Sequence, residues 1–173
     1  MIQEMFEKEI LIFGCGNILM GDDGFGPAVI AHLCDNHDLP SHVMAEDIGT
    51  SIGDFLFDLI LSPDKPRQIV ILDAVSQPGR KPGDLFELPL SKIPDKKVGD
   101  FCMHQFPSVN LLMELDQAGV DIRILAVQIK SLPDTVGPGL SPEVLDAVPT
   151  ACERLLDMIT NVHPSNLKQR RYV

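Results

Sequence analysis

The sequence predicts a three-layer α/β/α domain, with helices covering both faces of a mainly parallel sheet. Three observations predict it. Strand-like and helix-spaced segments alternate along the chain, the order that builds a parallel sheet through helical crossovers. The run from Gln68 to Val75 is almost unbroken in its apolar character, as a central strand covered on both faces must be. Gly14, Gly16, Gly21, Gly24 and Gly26 join a β-compatible run to a helix-spaced one. Such a strand-to-helix loop sits at the carboxyl end of a strand, where open α/β sheets keep their ligand crevices.

The first strand is Ile10, Leu11, Ile12 and Phe13, and the helix after the glycine loop begins near Gly26 and ends about Asn36, before Leu39 and Pro40. Residues 43–47 form the second strand. Thr50 or Ser51 caps a helix over 54–61, whose apolar positions Phe55, Leu56, Leu59 and Ile60 share a face, and Pro63 and Pro66 close it. The central strand carries Asp73 near its end, and a short strand follows over 84–87. Pro107 opens a helix with Val109, Leu111, Leu112, Met113 and Leu115, which Gly119 terminates. The last strand, 122–129, is apolar enough to be mostly buried. Ser141 caps and Pro142 starts the final helix, with Val144, Leu145, Val148, Cys152, Leu155, Leu156 and Ile159 on one stripe. Pro149 lies within that stripe and predicts a kink or a restart. Residues 1–162 read as one domain and 163–173, with Lys168, Arg170 and Arg171, as a basic polar tail.

At 173 residues the chain is long enough to bury a core without disulfides or structural metals. Cys15, Cys34, Cys102 and Cys152 are too far apart for a zinc ribbon, and reduced thiols are expected. No apolar run approaches the roughly 18 residues of a membrane span, and Glu4 and Glu7 argue against a signal peptide, so a cytoplasmic location is expected. A net charge of -11 works against nucleic acid and anionic membranes as partners and favours a cation or a cationic peptide.

Three polar residues follow or end strands: Asp23, Asp73 and His104. If the first and third strands are neighbours, two carboxylates face one crevice with an imidazole close by. Two hard oxygens and one nitrogen make a metal-ligand set suited to Zn, Ni, Fe or Mn. The same acids can instead share a proton and act as acid and base on water. The spacing leaves both open. Plainer roles are also available: Asp22 or Asp23 capping the helix behind them, Asp73 capping a turn, His104 solvated. Cys15 and Cys102 lie near the same crevice without the base and orienting partner that a nucleophilic thiol needs. A dinucleotide fits poorly, because the third glycine of G-x-G-x-x-G falls on Leu19 and two aspartates stand where phosphate would go.

With these residues in place, the sequence resembles the hydrogenase maturation proteases, endopeptidases that trim the large subunit of nickel–iron hydrogenases. The likeness rests on the run from Phe13 through Asn17, Gly21, Asp22 and Asp23 to Gly26, on Leu72, Asp73 and Ala74, and on His104 and Gln105, and covers residues 8–162. It implies a twisted five-stranded sheet between helices and a metal-contacting, catalytic trio of Asp23, Asp73 and His104. It also implies cleavage of a C-terminal extension once nickel has been inserted in the precursor, with nickel supplied by the substrate and no permanent organic cofactor. The partner is then the large-subunit precursor. A non-catalytic escort of metal or precursor is the alternative, since no nucleophile is recognisable. Some members carry Glu at the place of Asp23, and many carry Asp–Gly–Gly where this chain has Asp47, Ile48 and Gly49. His104, Gln105, Phe106 and Pro107 point toward the branch serving coenzyme F420-reducing hydrogenases.

Overall fold

The computed structural model describes residues 2–93 and 107–160. Five strands, β1 (Ile10–Cys15), β2 (Val43–Gly49), β3 (Gln68–Val75), β4 (Leu85–Glu87) and β5 (Asp121–Gln128), form one sheet in the order β2-β1-β3-β5-β4. β1 runs parallel to β2 and β3, β3 runs parallel to β5, and only β4 is antiparallel. The helices are α1 (Ile2–Met5), α2 (Phe25–Asn36), α3 (Ile52–Leu61), α4 (Pro107–Gln117) and α5 (Pro142–Thr160).

Alternation along the strands divides the core into two layers. Leu11, Phe13, Ile69, Ile71 and Ile124 pack with Leu56 and Leu59 of α3 and Leu112 and Leu115 of α4. Ile10, Ile12, Val70, Leu72 and Leu125 pack with Val29 and Leu33 of α2 and Val148 and Leu155 of α5. Every residue of β1 and β3 is buried, as central strands with two covered faces require. The sheet is therefore the middle of an α/β/α sandwich.

Several local expectations are corrected. β1 continues through Gly14 and Cys15, and a 3-10 turn, Gly21–Gly24, precedes α2. Ser51 occupies the N-cap of α3 without a side-chain capping bond, and the Ser141 hydroxyl donates to Asp22. The final helix neither breaks nor restarts at Pro149, which lies inside α5. Pro149 and Leu145 are both exposed, so water can take the bond that proline denies the Leu145 carbonyl. The buried stripe Val144, Val148, Ala151, Cys152, Leu155 and Met158 outweighs that single lost bond, worth about 3 kcal/mol in a helix interior. Leu145 is not on that stripe, being 56% exposed.

Candidate functional site

The strand order reverses between β1 and β3. The chain leaves β1 toward β2 on one side, and leaves β3 toward β5 and β4 on the other, so a crevice opens at their carboxyl ends. Asp73 stands at that point. The β1–β3 ladder ends at Gly14 and Leu72, one residue before Asp73, which shares a face with Ile71 and Val75 by strand alternation. Asp73 is 3% exposed, and its Oδ1 accepts the Ala74 N–H at 2.8 Å.

Asp23 reaches the same place from the 3-10 turn after β1. It is fully buried, and its Oδ2 accepts the Asn17 N–H at 2.8 Å. A Cβ placed on Gly16 would fall 1.8 Å from the Asp23 carbonyl oxygen and 3.6 Å from its carboxyl carbon. Gly16 has φ +128, so only glycine allows this approach. Asp23 does not cap α2, whose N-cap Gly24 has no side-chain capping bond.

The buried thiol of Cys15 is close enough to feel both acids. Its pKa is raised well above the ordinary thiol value by burial first, then by the charges of Asp73, Asp47 and Asp23. A protonated thiol is a poor nucleophile, and Cys15 is buried within the core. The three carboxylates set a negative field at the carboxyl ends of β1, β2 and β3.

His104, predicted as the third member, and Cys102 lie outside the described residues, as do residues 163–173. Among the described residues, no group of three His, Cys, Asp or Glu side chains is placed to hold a metal. Asp23 and Asp73 both act on the Cys15 thiol, and their hard oxygens are of the kind that suits a divalent cation.

Two further acids lie outside the predicted ligand set. Asp47 stands two residues before the end of β2, as Asp73 does in β3, and its Oδ1 accepts the Gly49 N–H at 2.9 Å. Ile48, where many family members have glycine, is buried in the core, and Gly49 alone takes the left-handed conformation, φ +53. Asp22 is buried in the opposite sense, facing away from its own helix. Its Oδ1 accepts the Ser141 N–H at 2.6 Å, and its Oδ2 accepts the Lys130 N–H at 2.8 Å and the Ser141 hydroxyl at 3.0 Å.

The glycine loop is no phosphate cradle. The N–H groups of Gly16, Met20, Gly21 and Asp23 donate to backbone carbonyls, and those of Asn17 and Leu19 donate to Asp23 Oδ2 and Asn17 Oδ1. A phosphate needs such N–H groups converging on it and a positive dipole end unopposed by carboxylates. Ile18 and Leu19 of the loop, and Leu132 and Val136 after β5, are exposed. They sit on two segments tied together by the Gly137 N–H to Leu19 carbonyl and Gly21 N–H to Gly137 carbonyl bonds, each 2.9 Å.

Known proteins are similar to this chain in sequence and fold. The family model for hydrogenase maturation proteases matches residues 27–158. The chain is 34% identical over 158 residues to the coenzyme F420 hydrogenase subunit delta of Methanothermobacter thermautotrophicus, covering 89% of this chain and 96% of that one. It is 27% identical over 149 residues to the hydrogenase 2 maturation protease of Escherichia coli, covering 85% of this chain and 88% of that one. The fold matches the hydrogenase maturating endopeptidase HybD of E. coli with a TM-score of 0.72 at 26% identity, over 88% of this chain and 92% of that one. It matches the [NiFe] hydrogenase maturation protease HybD of Thermococcus kodakarensis with a TM-score of 0.65 at 27% identity, over 87% and 98% respectively. The chain therefore belongs to the hydrogenase maturation protease family and is a peptide-bond hydrolase.

Proposed function

We propose that this enzyme removes the C-terminal extension of a nickel–iron hydrogenase large-subunit precursor after nickel has been inserted, and that Asp23 and Asp73 hold the nickel carried by that substrate. The observation that carries the reading is the pair of buried carboxylates at the β1–β3 switch point. Each is oriented by a backbone N–H, so neither must reorganise when a cation arrives. The carboxylate charges of Asp73, Asp47 and Asp23, which add to burial in raising the Cys15 thiol, also draw a divalent cation into the crevice. His104 completes the ligand set on the family resemblance.

The substrate polypeptide then lies along the exposed apolar side chains of Ile18, Leu19, Leu132 and Val136, which flank the Asp23 turn. Holding the metal and an extended chain together places the scissile bond against the acids, and proximity of this kind supplies much of a hydrolytic rate. Hydrolysis adds water across the peptide bond, hydroxyl to the carbonyl carbon and proton to the leaving amine.

The test is to incubate the purified protein with nickel-loaded and nickel-free precursor and follow the C-terminal fragment by mass spectrometry. The reading predicts trimming of the loaded form alone. Equal trimming of both would remove nickel from the account, and trimming of neither would remove the substrate assignment.

A further inference from the structure

We propose that Asp22 is the positioning residue of this site, its carboxylate fixing the turn that presents Asp23. The inference rests on the functional reading of Asp23 given above. Asp22 is 1% exposed, and its carboxylate accepts three hydrogen bonds among the described residues. All three of its bonds run to the far side of the sheet's carboxyl edge. Lys130 follows β5 and Ser141 precedes α5, so one carboxylate grips both ends of the 131–140 loop. Farther out, Gly21 and Gly137 are hydrogen-bonded at 2.9 Å, and a Cβ on Gly21 would meet Pro133 Cδ at 3.0 Å. The turn Gly21–Gly24 is thus clamped at its second residue and at its edge, leaving Asp23 to face the opposite way, toward Asn17 and Cys15.

The chemistry of the clamp requires a carboxylate. Each oxygen accepts a backbone N–H, one from Ser141 and one from Lys130. Neither donor can turn into an acceptor. An amide at position 22 has the same shape but must aim its NH2 at one of these N–H groups, which breaks one side of the clamp whichever way it is flipped. The loosened turn then moves Asp23 relative to Asp73, and displacement of about 1 Å in a catalytic group lowers rate by about 100-fold.

The experiment compares wild type, Asp22→Asn and Ser141→Ala on nickel-loaded precursor, well below each melting temperature, alongside amide hydrogen exchange of Asn17 and Ile71. For Asp22→Asn we expect kcat to fall about 100-fold with KM within about twofold, and Asn17 exchange to quicken at least about tenfold while Ile71 keeps its protection. Wild-type kcat and wild-type Asn17 exchange in the folded variant would overturn the proposal, and would leave Asp22 as a stabilising bond alone. If Asp22→Asn does not fold, Ser141→Ala, which removes only the hydroxyl bond, decides by the same two readouts on a smaller scale. If wild type trims nothing, the substrate reading fails by itself, and Asn17 exchange still decides whether Asp22 fixes the turn.

Discussion

Gly26 and Leu72 meet backbone to backbone: a Cβ on Gly26 would stand 2.6 Å from the Leu72 carbonyl oxygen and 2.3 Å from that of Cys15. The first turn of α2 therefore rests directly on β1 and β3, one residue before Asp73. The glycine is demanded by helix-to-sheet contact. Gly26→Ala forces these backbones apart and is expected to cost about 2–3 kcal/mol of stability, read from urea unfolding with the m-value unchanged.

Cys15 offers a second check on the site's chemistry. Its pKa is raised by burial and by three neighbouring carboxylates, which disfavours the thiolate that an attacking group needs. Cys15→Ala should trim precursor at a rate within about twofold of wild type, with a stability loss of about 1 kcal/mol for the lost sulfur. A rate loss of about 100-fold in a folded variant would reinstate the thiol as a reacting group.

The sequence reveals the broad architecture because its strongest signals are local. Gln68–Val75 is bounded by polar and proline residues and coincides with β3. The parallel pairing of β1 with β3 then puts the segments that carry Asp23 and Asp73 at the same end of the sheet. Asp22 escapes such reasoning because its partners lie 108 and 119 residues away, and no spacing rule connects them. Asp22 and Asp23 look interchangeable in sequence, and only the turn sends one outward to α5 and the other inward to the crevice. Pro149 misleads for a related reason: its cost depends on which side of α5 faces water, which is decided by packing against β5 and α2.

Cys152 gives a pH dependence. Burial first, then the neighbouring Cys34 and Glu153, raise its thiol from 9.0 to about 11. The folded state binds this proton more tightly than the unfolded chain, so its stability contribution is complete below pH 9 and is lost as pH rises through 11. Melting temperature should fall across that interval, and the fall should be shallower in Cys152→Ala. An identical slope in the two proteins would contradict the assignment.

The exposed apolar side chains beside the Asp23 turn should act on binding alone. Leu19→Asp places a charge where the substrate chain is proposed to lie, and is expected to raise KM for the precursor about tenfold with kcat within about twofold. Steady-state trimming rates across a range of precursor concentration separate the two constants.

Joint action of Asp23 and Asp73 is tested most directly by a double-mutant cycle on nickel-loaded precursor. Asp23→Asn and Asp73→Asn should each lower the trimming rate by about 100-fold or more, and the double variant should be no slower than the worse single one, because groups that act as a unit are lost together. Either single variant retaining the wild-type rate, or losses that multiply in the double variant, would contradict a shared site.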